Sequence, residues 1–600
     1  MDDLDRRDWI KTVVATGASA MITGPAVQPT QGRAALGSSA RRGAVEVIPH
    51  LSSSGVYLPP RGGGFMKWSF DTPEPSVAFE GLEFGFKVFT RENAYLLDQT
   101  MMSAEMGDAG LRLICNGFRG AGGQEPAPGT LHATFRRNGA WIEWDVTADC
   151  PTPIKSVATV IRGIPRGKIS GGGGQPYDPK DDELLFGYPF SGGDLFGGNT
   201  AQGLGTPLVI VQSDEQSYHF ISSLDDKVRT KRVYFQPGER GYRVEAIHEV
   251  EGWLDQTSVK VPRWRVGRAT SLDSAAEPHY QHLEAAYRFP RWESRPDVPA
   301  WLRKTSLVVA LHGMHFSGYV FNTFSRMSEI LRWMAKEIAP DQVLVFLPAW
   351  DGRYYWDYPE YQAASRLGGP DEFRRLISEG KKLGYRFMPM FGANAANRRL
   401  ESFAKFADAA TAKVDGDSMD LNWVDWDSDR HQEGWGAYMN LGVESWRRWL
   451  TDRIAETIDQ YGVDAYFLDI IGGWTNNTKA DMHEGARLMV DELRRRYPDV
   501  LACGEFHYDA LVEFMPFHHV YSPKYLKYAR YFSHLSHPAP GRGSSGVHES
   551  GFSPFDPKTL ELPKREGLIP TLTVVDDTFT TYREQMLAVV REARNRSGAR

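Results

Sequence analysis

The first half of the chain alternates hydrophobic and polar residues with a period of two. The clearest stretch, LHATFRRNGAWIEWDV, has two alternating runs joined by Asn138-Gly139, a dipeptide that is a strong signal for a β-hairpin. Similar runs recur from about residue 65 to 290, and none of the segments between them predicts a helix of three turns. We therefore predict an antiparallel β-sandwich domain over residues 46–297, reached through a linker rich in Gly, Ser, Ala and Pro.

The pattern changes after Pro299, where short apolar runs begin to alternate with segments whose apolar residues recur every three or four positions. The predicted strands are LVVAL (307–311), VLVFLPA (343–349), YRFMPMF (385–391), VDAYFL (463–468), VLACG (500–504), HVYS (519–522) and IPTLTVV (569–575). An eighth strand is expected within 523–568, where SSGVHES is the best candidate. This alternation predicts a (β/α)8 barrel over residues 298–600, so the fold class is α/β, with a TIM barrel preceded by the β-sandwich.

Two neighbouring strands of the predicted barrel each end in a carboxylate. Asp469 follows VDAYFL and Glu505 follows VLACG, and the helix between them closes at Tyr497-Pro498. Adjacent strands lie about 4.8 Å apart, so carboxyl groups at their ends can be separated by about 5 to 5.5 Å, the spacing that retaining glycosidases use. A single acid at a strand end is more often a helix cap or a loop anchor. The pair in aromatic surroundings favours a catalytic role.

Composition narrows the classes of partner. The net charge is −7, with acidic and basic residues interspersed, and this argues against a nucleic-acid partner. The 17 Trp and 25 Tyr suit a carbohydrate site, although large cores also use Trp. No cofactor fingerprint occurs, so no cofactor is predicted. The three cysteines have no metal-binding spacing, and a Cys115–Cys150 bridge is the most they could form.

The N-terminus predicts export. Arg6-Arg7, followed by a weakly apolar run from Val13 to Val27, resembles a twin-arginine signal, and we assign residues 1–45 to this signal and a linker. The run is too short and too polar to span a bilayer, and no other segment predicts a membrane span. The expected location is periplasmic or extracellular. The sequence does not predict an oligomeric state.

The active site of a (β/α)8 barrel lies at the carboxyl ends of its strands. The loops expected there contain aromatic and polar residues suited to stacking on sugar rings and to binding their hydroxyls. We predict that the following residues contact a carbohydrate substrate: His312, Trp350, Asp351, Trp356, Trp474, His507, Asp576 and Asp577.

The motifs FLDIIGGW and CGEFH resemble those of retaining glycoside hydrolases that carry an Asp nucleophile on strand four and a Glu acid/base on strand five. This arrangement belongs to the α-amylase clan and its endo-α-N-acetylgalactosaminidase relatives, and the barrel also resembles a bacterial family, domain of unknown function 6259. One departure is Phe467, which stands where the α-amylase pattern has Arg. The resemblance implies that Asp469 attacks the anomeric carbon and that Glu505 first protonates the leaving oxygen and then deprotonates water.

Two other functions are also compatible with the sequence. A metal-dependent hydrolase of the amidohydrolase type is suggested by five histidines near the expected site: His312, His315, His507, His518 and His519. Against it, LHGMH has two residues between its histidines instead of one, and strand four offers no bridging Lys. Asp425, Asp427 and Asp429 alternate as in a calcium loop, but Arg430 occupies the position that needs Gly. The other alternative is a non-catalytic glycan-binding barrel, which would bind carbohydrate without turnover.

Overall fold

The fold is known from a computed structural model. It describes residues 47–48, 74–108, 110–121, 125–172, 176–189, 201–238, 241–315, 317–353, 355–414, 416–420, 434–505, 508–520, 533–536, 568–575 and 578–597. The predicted export signal lies outside these residues.

The first part of the chain forms two large sheets, in which every pair of neighbouring strands is antiparallel except β13–β14. Strands are numbered in chain order. The eleven-stranded sheet contains β1 (Val47–Ile48), β2 (Ser76–Phe79), β3 (Leu82–Thr90), β4 (Ala94–Leu97), β7 (Phe118–Gly120), β8 (Pro126–Ala127), β11 (Ile154–Ile164), β13 (Leu184–Tyr188), β14 (Ala201–Gly203), β17 (Lys231–Gly238) and β18 (Gly241–Glu249). The eight-stranded sheet contains β5 (Met102–Gly107), β6 (Gly110–Cys115), β9 (Thr130–Asn138), β10 (Trp141–Asp149), β12 (Lys168–Gly171), β15 (Leu208–Asp214), β16 (Ser217–Ser223) and β19 (Ser258–Ala269).

The two sheets face each other across a hydrophobic core. The rings of Phe84 on β3 and Phe135 on β9 lie 4.7 Å apart. The indole N–H of Trp144 on β10 donates to the Thr159 hydroxyl of β11 at 3.0 Å, which satisfies a buried polar group inside that core. The predicted hairpin is confirmed, because β9 and β10 pair directly and Gly139 at the turn has a φ of 61°.

The expectation that no helix precedes residue 300 is wrong. Helix α1 (Leu272–Ala286) begins at a capping box made by Ser271 and Ser274. Its buried face contains Ala276, Tyr280 and Leu283, at helical spacing. The sequence obscures this helix because a proline, Pro278, stands inside it and charged residues dilute its apolar stripe.

The second part of the chain forms a parallel sheet, accompanied by a short antiparallel pair of β23 (Ala395–Asn397) and β24 (Gly436–Tyr438). The parallel strands are β20 (Leu307–Leu311), β21 (Val343–Leu347), β22 (Arg386–Gly392), β25 (Ala465–Asp469), β26 (Leu501–Glu505), β27 (Phe517–Val520), β28 (Ser533–Ser536), β29 (Leu568–Ile569) and β30 (Thr571–Val574). Their order is β29-β28-β27-β26-β25-β22-β21-β20-β30. The two ends of this order, β29 and β30, are separated in the chain only by Pro570.

The strand that the sequence left unassigned is β28. It lies within the expected interval, and it pairs with β27 on one side and β29 on the other. The named candidate SSGVHES lies outside the described residues. A four-residue strand of sequence SHLS has neither a long apolar run nor a clear alternation, so only its pairing partners identify it.

Helices follow the parallel strands and pack their apolar faces on the sheet. They are α2 (Phe324–Met334), α3 (Gly369–Leu383), α4 (Glu444–Tyr461), α5 (Met482–Arg496), α6 (Thr578–Thr581) and α7 (Arg583–Ser597). The apolar stripe of α5 is buried along its length, from Met482 to Leu493. Gly384 ends α3 with a φ of 113°, as expected of a C-terminal glycine. Among the described residues, no helix is both long and apolar enough to cross a membrane.

The three cysteines are buried free thiols, so the Cys115–Cys150 bridge is absent. Cys115 donates instead to the carbonyl oxygen of Gly117 at 3.0 Å. Burial raises the pKa of the Cys150 thiol to about 11, which leaves it protonated and unreactive at neutral pH.

Candidate active site

Asp469 and Glu505 occupy the same level of the parallel sheet. Leu468 on β25 is the register partner of Gly504 on β26, so the two carboxylates that follow are the next pair along these strands. Both lie at the carboxyl ends of their strands, and their exposed fractions are 3% and 4%. This register places the ends of the two strands one inter-strand spacing apart, about 4.8 Å.

The backbone amide of Ile470 lies between the two carboxylates. It donates to Glu505 Oε2 at 2.9 Å, and it also contributes to the hydrogen bonding of Asp469. Ile470 has a φ of 52°, a left-handed conformation that is strained for a β-branched residue. The turn that begins at Ile470 therefore directs a backbone N–H into the site.

Electrostatics couple the two acids. Burial, and then the charge of Glu505, raise the pKa of Asp469 well above its ordinary value, and the hydroxyl of Tyr355 partly offsets this by hydrogen bonding to the carboxylate. Asp469 Oδ2 is buried without a hydrogen-bond partner among the described residues. Two buried carboxylates this close are expected to share one proton at neutral pH.

His519 adds a third polar group at the same level. It is the register partner of Glu505 on β27, and its Nδ1 lies 3.6 Å from Glu505 Oε1. The sequence suggested His519 only as a metal ligand, because a histidine gives no local sign of which strand end it will face. Its position beside Glu505 suits it to contact and orient that carboxylate.

Asp351 is a further buried acid in this region. It follows β21, it is 8% exposed, and neither of its carboxylate oxygens has a hydrogen-bond partner among the described residues. Its charge and that of Asp469 both act on the Tyr361 hydroxyl. That hydroxyl is bound to the amide and carbonyl of Gly392, the register partner of Asp469. Asp351 thus lies on the same side of the site as Asp469, with acceptor atoms available for a ligand.

Replacing Asp351 by Asn is expected to stabilise the protein and impair its activity. Burial raises the pKa of Asp351 from 3.8 to about 8. The folded state therefore keeps a proton that the unfolded chain releases, and stability falls as pH rises from about 4 to about 8. Asn removes this cost. We expect the variant to gain roughly 2–5 kcal/mol in the free energy of unfolding at pH 8, and almost nothing at pH 4.

The measurement is urea unfolding of both proteins at pH 4 and pH 8, together with kcat/KM on a substrate. If Asp351 binds a sugar hydroxyl, kcat/KM falls by about 10- to 100-fold. A variant that is destabilised at pH 8, or that keeps full activity, would contradict the position and role given to Asp351.

The three predicted tryptophans occupy packed positions. Trp350 is fully buried, its ring stacks on Phe373 of α3 at 4.9 Å, and its N–H donates to the carbonyl of Met390. Trp356 is half-buried and packs against Trp435 at 5.1 Å, with the guanidinium of Arg353 over its ring. Trp474 is buried in the segment that follows Asp469. Of the three, Trp356 is the one that is partly exposed.

Of the other predicted contact residues, one is buried at a strand end and three lie outside the described residues. His312 follows β20 directly and is buried, with its ring edge-on to Phe321 at 6.4 Å. His507, Asp576 and Asp577 lie outside the described residues, so their roles stay predictions. Tyr355 and Tyr361 were not predicted individually, because their contacts with Asp469 and Gly392 join residues far apart in the chain.

The described ranges contain no group of three or more His, Cys, Asp and Glu side chains placed to hold a metal ion. His315 binds Ser317 through Nδ1 at 2.6 Å, and His518 contacts the carbonyl of Met515 through Nε2 at 2.9 Å. The predicted calcium-like loop at 425–429 lies outside the described residues. The geometry instead brings together two acids on adjacent strands, a combination that can supply a nucleophile and a proton donor.

The whole chain also resembles solved structures in its fold. The chain is similar to the α-N-acetylgalactosaminidase NagBb from Bifidobacterium bifidum. The ligand-free form has 14% sequence identity and a TM-score of 0.57, covering 87% of this chain and 90% of that one. For its complex with GalNAc the values are 12%, 0.59, 87% and 90%. The chain has a glycoside-hydrolase-like fold.

An α-galactosidase from Lactobacillus brevis is more distant, at 10% identity and a TM-score of 0.48 over 90% of this chain and 74% of that one. No protein-family model matches the chain, and a search of curated proteins finds no match. The predicted resemblance to domain of unknown function 6259 therefore gains no support. Identities this low make the likeness one of fold.

Proposed function

We propose that this protein is a retaining glycoside hydrolase in which Asp469 is the nucleophile and Glu505 the general acid/base. The observation that carries the proposal is the register of β25 and β26, which puts two buried carboxylates side by side at the carboxyl edge of a parallel sheet. Retaining glycosidases need this close spacing because one carboxylate must bond to the anomeric carbon while the other reaches the leaving oxygen.

The reaction has two steps. Asp469 attacks the anomeric carbon while Glu505 gives its proton to the leaving oxygen, so the glycosidic bond breaks and a glycosyl ester forms. Water then attacks the anomeric carbon and loses its proton to Glu505, which regenerates both groups. The Ile470 amide and His519 lie next to Glu505 and would hold its carboxylate through both steps.

The proton shared by the two acids must lie on Glu505 when the reaction begins. In the free protein, burial and the charge of Glu505 raise the pKa of Asp469, so the pair is expected to hold one proton between its two carboxylates. A sugar whose hydroxyl or amide donates to Asp469 would stabilise its ionised form and shift the proton to Glu505. The proposal therefore includes a substrate-induced transfer of this proton within the pair.

The same proposal covers the architecture of the protein, its substrate and its location. We infer a (β/α)8 barrel over residues 298–600, since the two ends of the strand order meet at Pro570, and a β-sandwich domain over residues 46–297. The fold neighbour NagBb suggests α-linked N-acetylgalactosamine as the sugar to test first. Export through the signal at Arg6-Arg7 would place the activity in the periplasm or outside the cell, and an Arg6→Lys, Arg7→Lys variant would then retain it in the cytoplasm.

The test is turnover of a panel of aryl glycosides that contains α-N-acetylgalactosaminide, α-galactoside and their β-anomers. Proton NMR of the sugar released first should show the anomer of the substrate. Release of the opposite anomer would overturn the retaining mechanism. No turnover of any member, combined with saturable binding of a glycan, would favour the glycan-binding alternative.

A parallel assay with EDTA addresses the metal-dependent alternative. Full activity after chelation is the expected result, because both catalytic groups in the proposal are carboxylates. Loss of activity that Zn²⁺ or Ca²⁺ restores would favour a metal-dependent hydrolase.

A further inference from the structure

A fully buried carboxylate, Asp509, joins the segment after Glu505 to the β-sandwich. Asp509 is 0% exposed. Its Oδ1 accepts from the Tyr188 hydroxyl at 2.6 Å, and its Oδ2 accepts from the Thr206 hydroxyl at 2.8 Å. Its backbone N–H donates to the carbonyl of Gly205 at 2.8 Å. All three partners belong to the sandwich, and the two hydroxyls direct their protons at one carboxylate.

The hydrogen bonds of Asp509 extend through Thr206 to helix α1. Since Thr206 donates to Asp509, its oxygen is available to accept from His279, whose Nε2 lies 2.6 Å away. Burial lowers the pKa of His279 to about 3, so the ring is neutral and can carry its proton on Nε2. His279, Thr206 and Asp509 form one ordered chain of donors, and such a chain fixes geometry more strongly than a single bond does.

The segment after Asp469 has its own contact with the sandwich. Asn476 Nδ2 donates to Glu249 Oε1 at 2.8 Å and to the carbonyl of Val250 at 2.9 Å, while its Oδ1 accepts from the amide of Gly252 at 2.7 Å. A Cβ on Gly252 would lie 2.5 Å from the carbonyl oxygen of Asn477. The two backbone segments are therefore in contact, with no room for a side chain at residue 252.

We propose that the β-sandwich positions the two carboxylates of the active site, with Asp509 and Asn476 as the positioning residues. Each lies shortly after one of the carboxylates in the chain, and each takes all of its described partners from the sandwich or from its own segment. The proposal rests on the assignment of Asp469 and Glu505 to catalysis. It adds that the separation of those two groups depends on contacts from outside the parallel sheet.

The main test compares Thr206→Val with Thr206→Ser. Val has nearly the shape of Thr but lacks the hydroxyl that binds Asp509, whereas Ser keeps the hydroxyl. We expect Thr206→Val, and likewise Tyr188→Phe, to lower kcat by about 10- to 100-fold with little change in KM, because a catalytic group displaced by about 1 Å loses this much rate. Thr206→Ser should stay within about threefold of the wild type.

A second readout separates positioning from general damage. Phenyl glycosides need protonation by Glu505, whereas 2,4-dinitrophenyl glycosides leave without it, so a displaced Glu505 slows the phenyl substrate more. The matched control is Glu143→Gln. Glu143 is a buried sandwich carboxylate whose described partners, Arg265 and Arg263 among them, all lie within the sandwich. The control should lose stability and keep the wild-type ratio of the two rates.

Hydrogen exchange gives a measure that does not depend on turnover. Amides of residues 508–515 should exchange at least tenfold faster in Thr206→Val than in Thr206→Ser or Glu143→Gln. Exchange in Thr206→Val that matches the wild type would overturn the proposal. An unchanged ratio of phenyl to dinitrophenyl rates in Thr206→Val would also overturn it, provided that the wild-type protein is active. A wild-type protein that hydrolyses no glycoside would refute the proposed function alone, and the exchange result would still decide whether Thr206 holds this segment.

Discussion

Replacing Asp469 by Asn is expected to reduce kcat on any glycoside substrate by a factor on the order of 10⁴, the scale seen when one member of a catalytic set is removed. The amide has nearly the same shape as the carboxylate, but it cannot form the glycosyl ester. Folding should be retained or improved, because burial and Glu505 already raise the cost of ionising Asp469. The measurement is kcat on an aryl glycoside, with urea unfolding as the check on the fold.

A matched control lies at the other end of the same strand. Asp464 precedes β25, is 7% exposed, and binds the amide of Phe387 and the side chains of Lys381 and Arg386. The start of a barrel strand serves stability and the end serves chemistry. Asp464→Asn should therefore lower stability with little effect on kcat. Equal losses of kcat in the two variants would contradict the role of Asp469.

The sequence predicted most of the parallel strands because each is a short, continuous apolar run buried on both faces, as in VLVFL of β21. It failed where that signal is absent. Strand β28 has the sequence SHLS, and helix α1 contains a proline and a diluted apolar stripe. Both are specified by partners distant in the chain, which a local pattern does not contain.

The same distinction holds for the candidate site. The juxtaposition of Asp469 and Glu505 was predictable because strand register carries two chain positions to one edge of the sheet. The contact of Tyr355 with Asp469 and that of His519 with Glu505 were not, since each depends on how a loop or a third strand packs. Asp509 carried no sequence signal at all. Its burial becomes meaningful only when Tyr188 and Thr206 are seen to donate to it.

The effect of Glu505→Gln on the rate is expected to depend on the leaving group of the substrate. On a phenyl glycoside, kcat should fall by about 10²- to 10⁴-fold, because no proton reaches the departing oxygen. On a 2,4-dinitrophenyl glycoside the first step needs no proton, so a burst of dinitrophenol should precede slow hydrolysis of the glycosyl ester. Azide, which attacks without base assistance, should restore turnover and give a glycosyl azide of retained configuration. Stopped-flow absorbance measures the burst of dinitrophenol, and NMR gives the configuration of the glycosyl azide.

The same experiment decides which acid has which role. The raised pKa of Asp469 in the free protein would also suit a proton donor, and the Ile470 amide bound to Glu505 would suit an ionised nucleophile. If azide rescues Asp469→Asn with a glycosyl azide of retained configuration, and does not rescue Glu505→Gln, the roles are exchanged. A glycosyl azide of inverted configuration from Asp469→Asn would instead identify Asp469 as the nucleophile. Glu513→Gln is the control for the segment, because Glu513 is exposed a short distance along the same chain. Rescue of Glu505→Gln alone would support the proposed roles, in which Asp469 is ionised and Glu505 carries the proton when the glycosidic bond breaks.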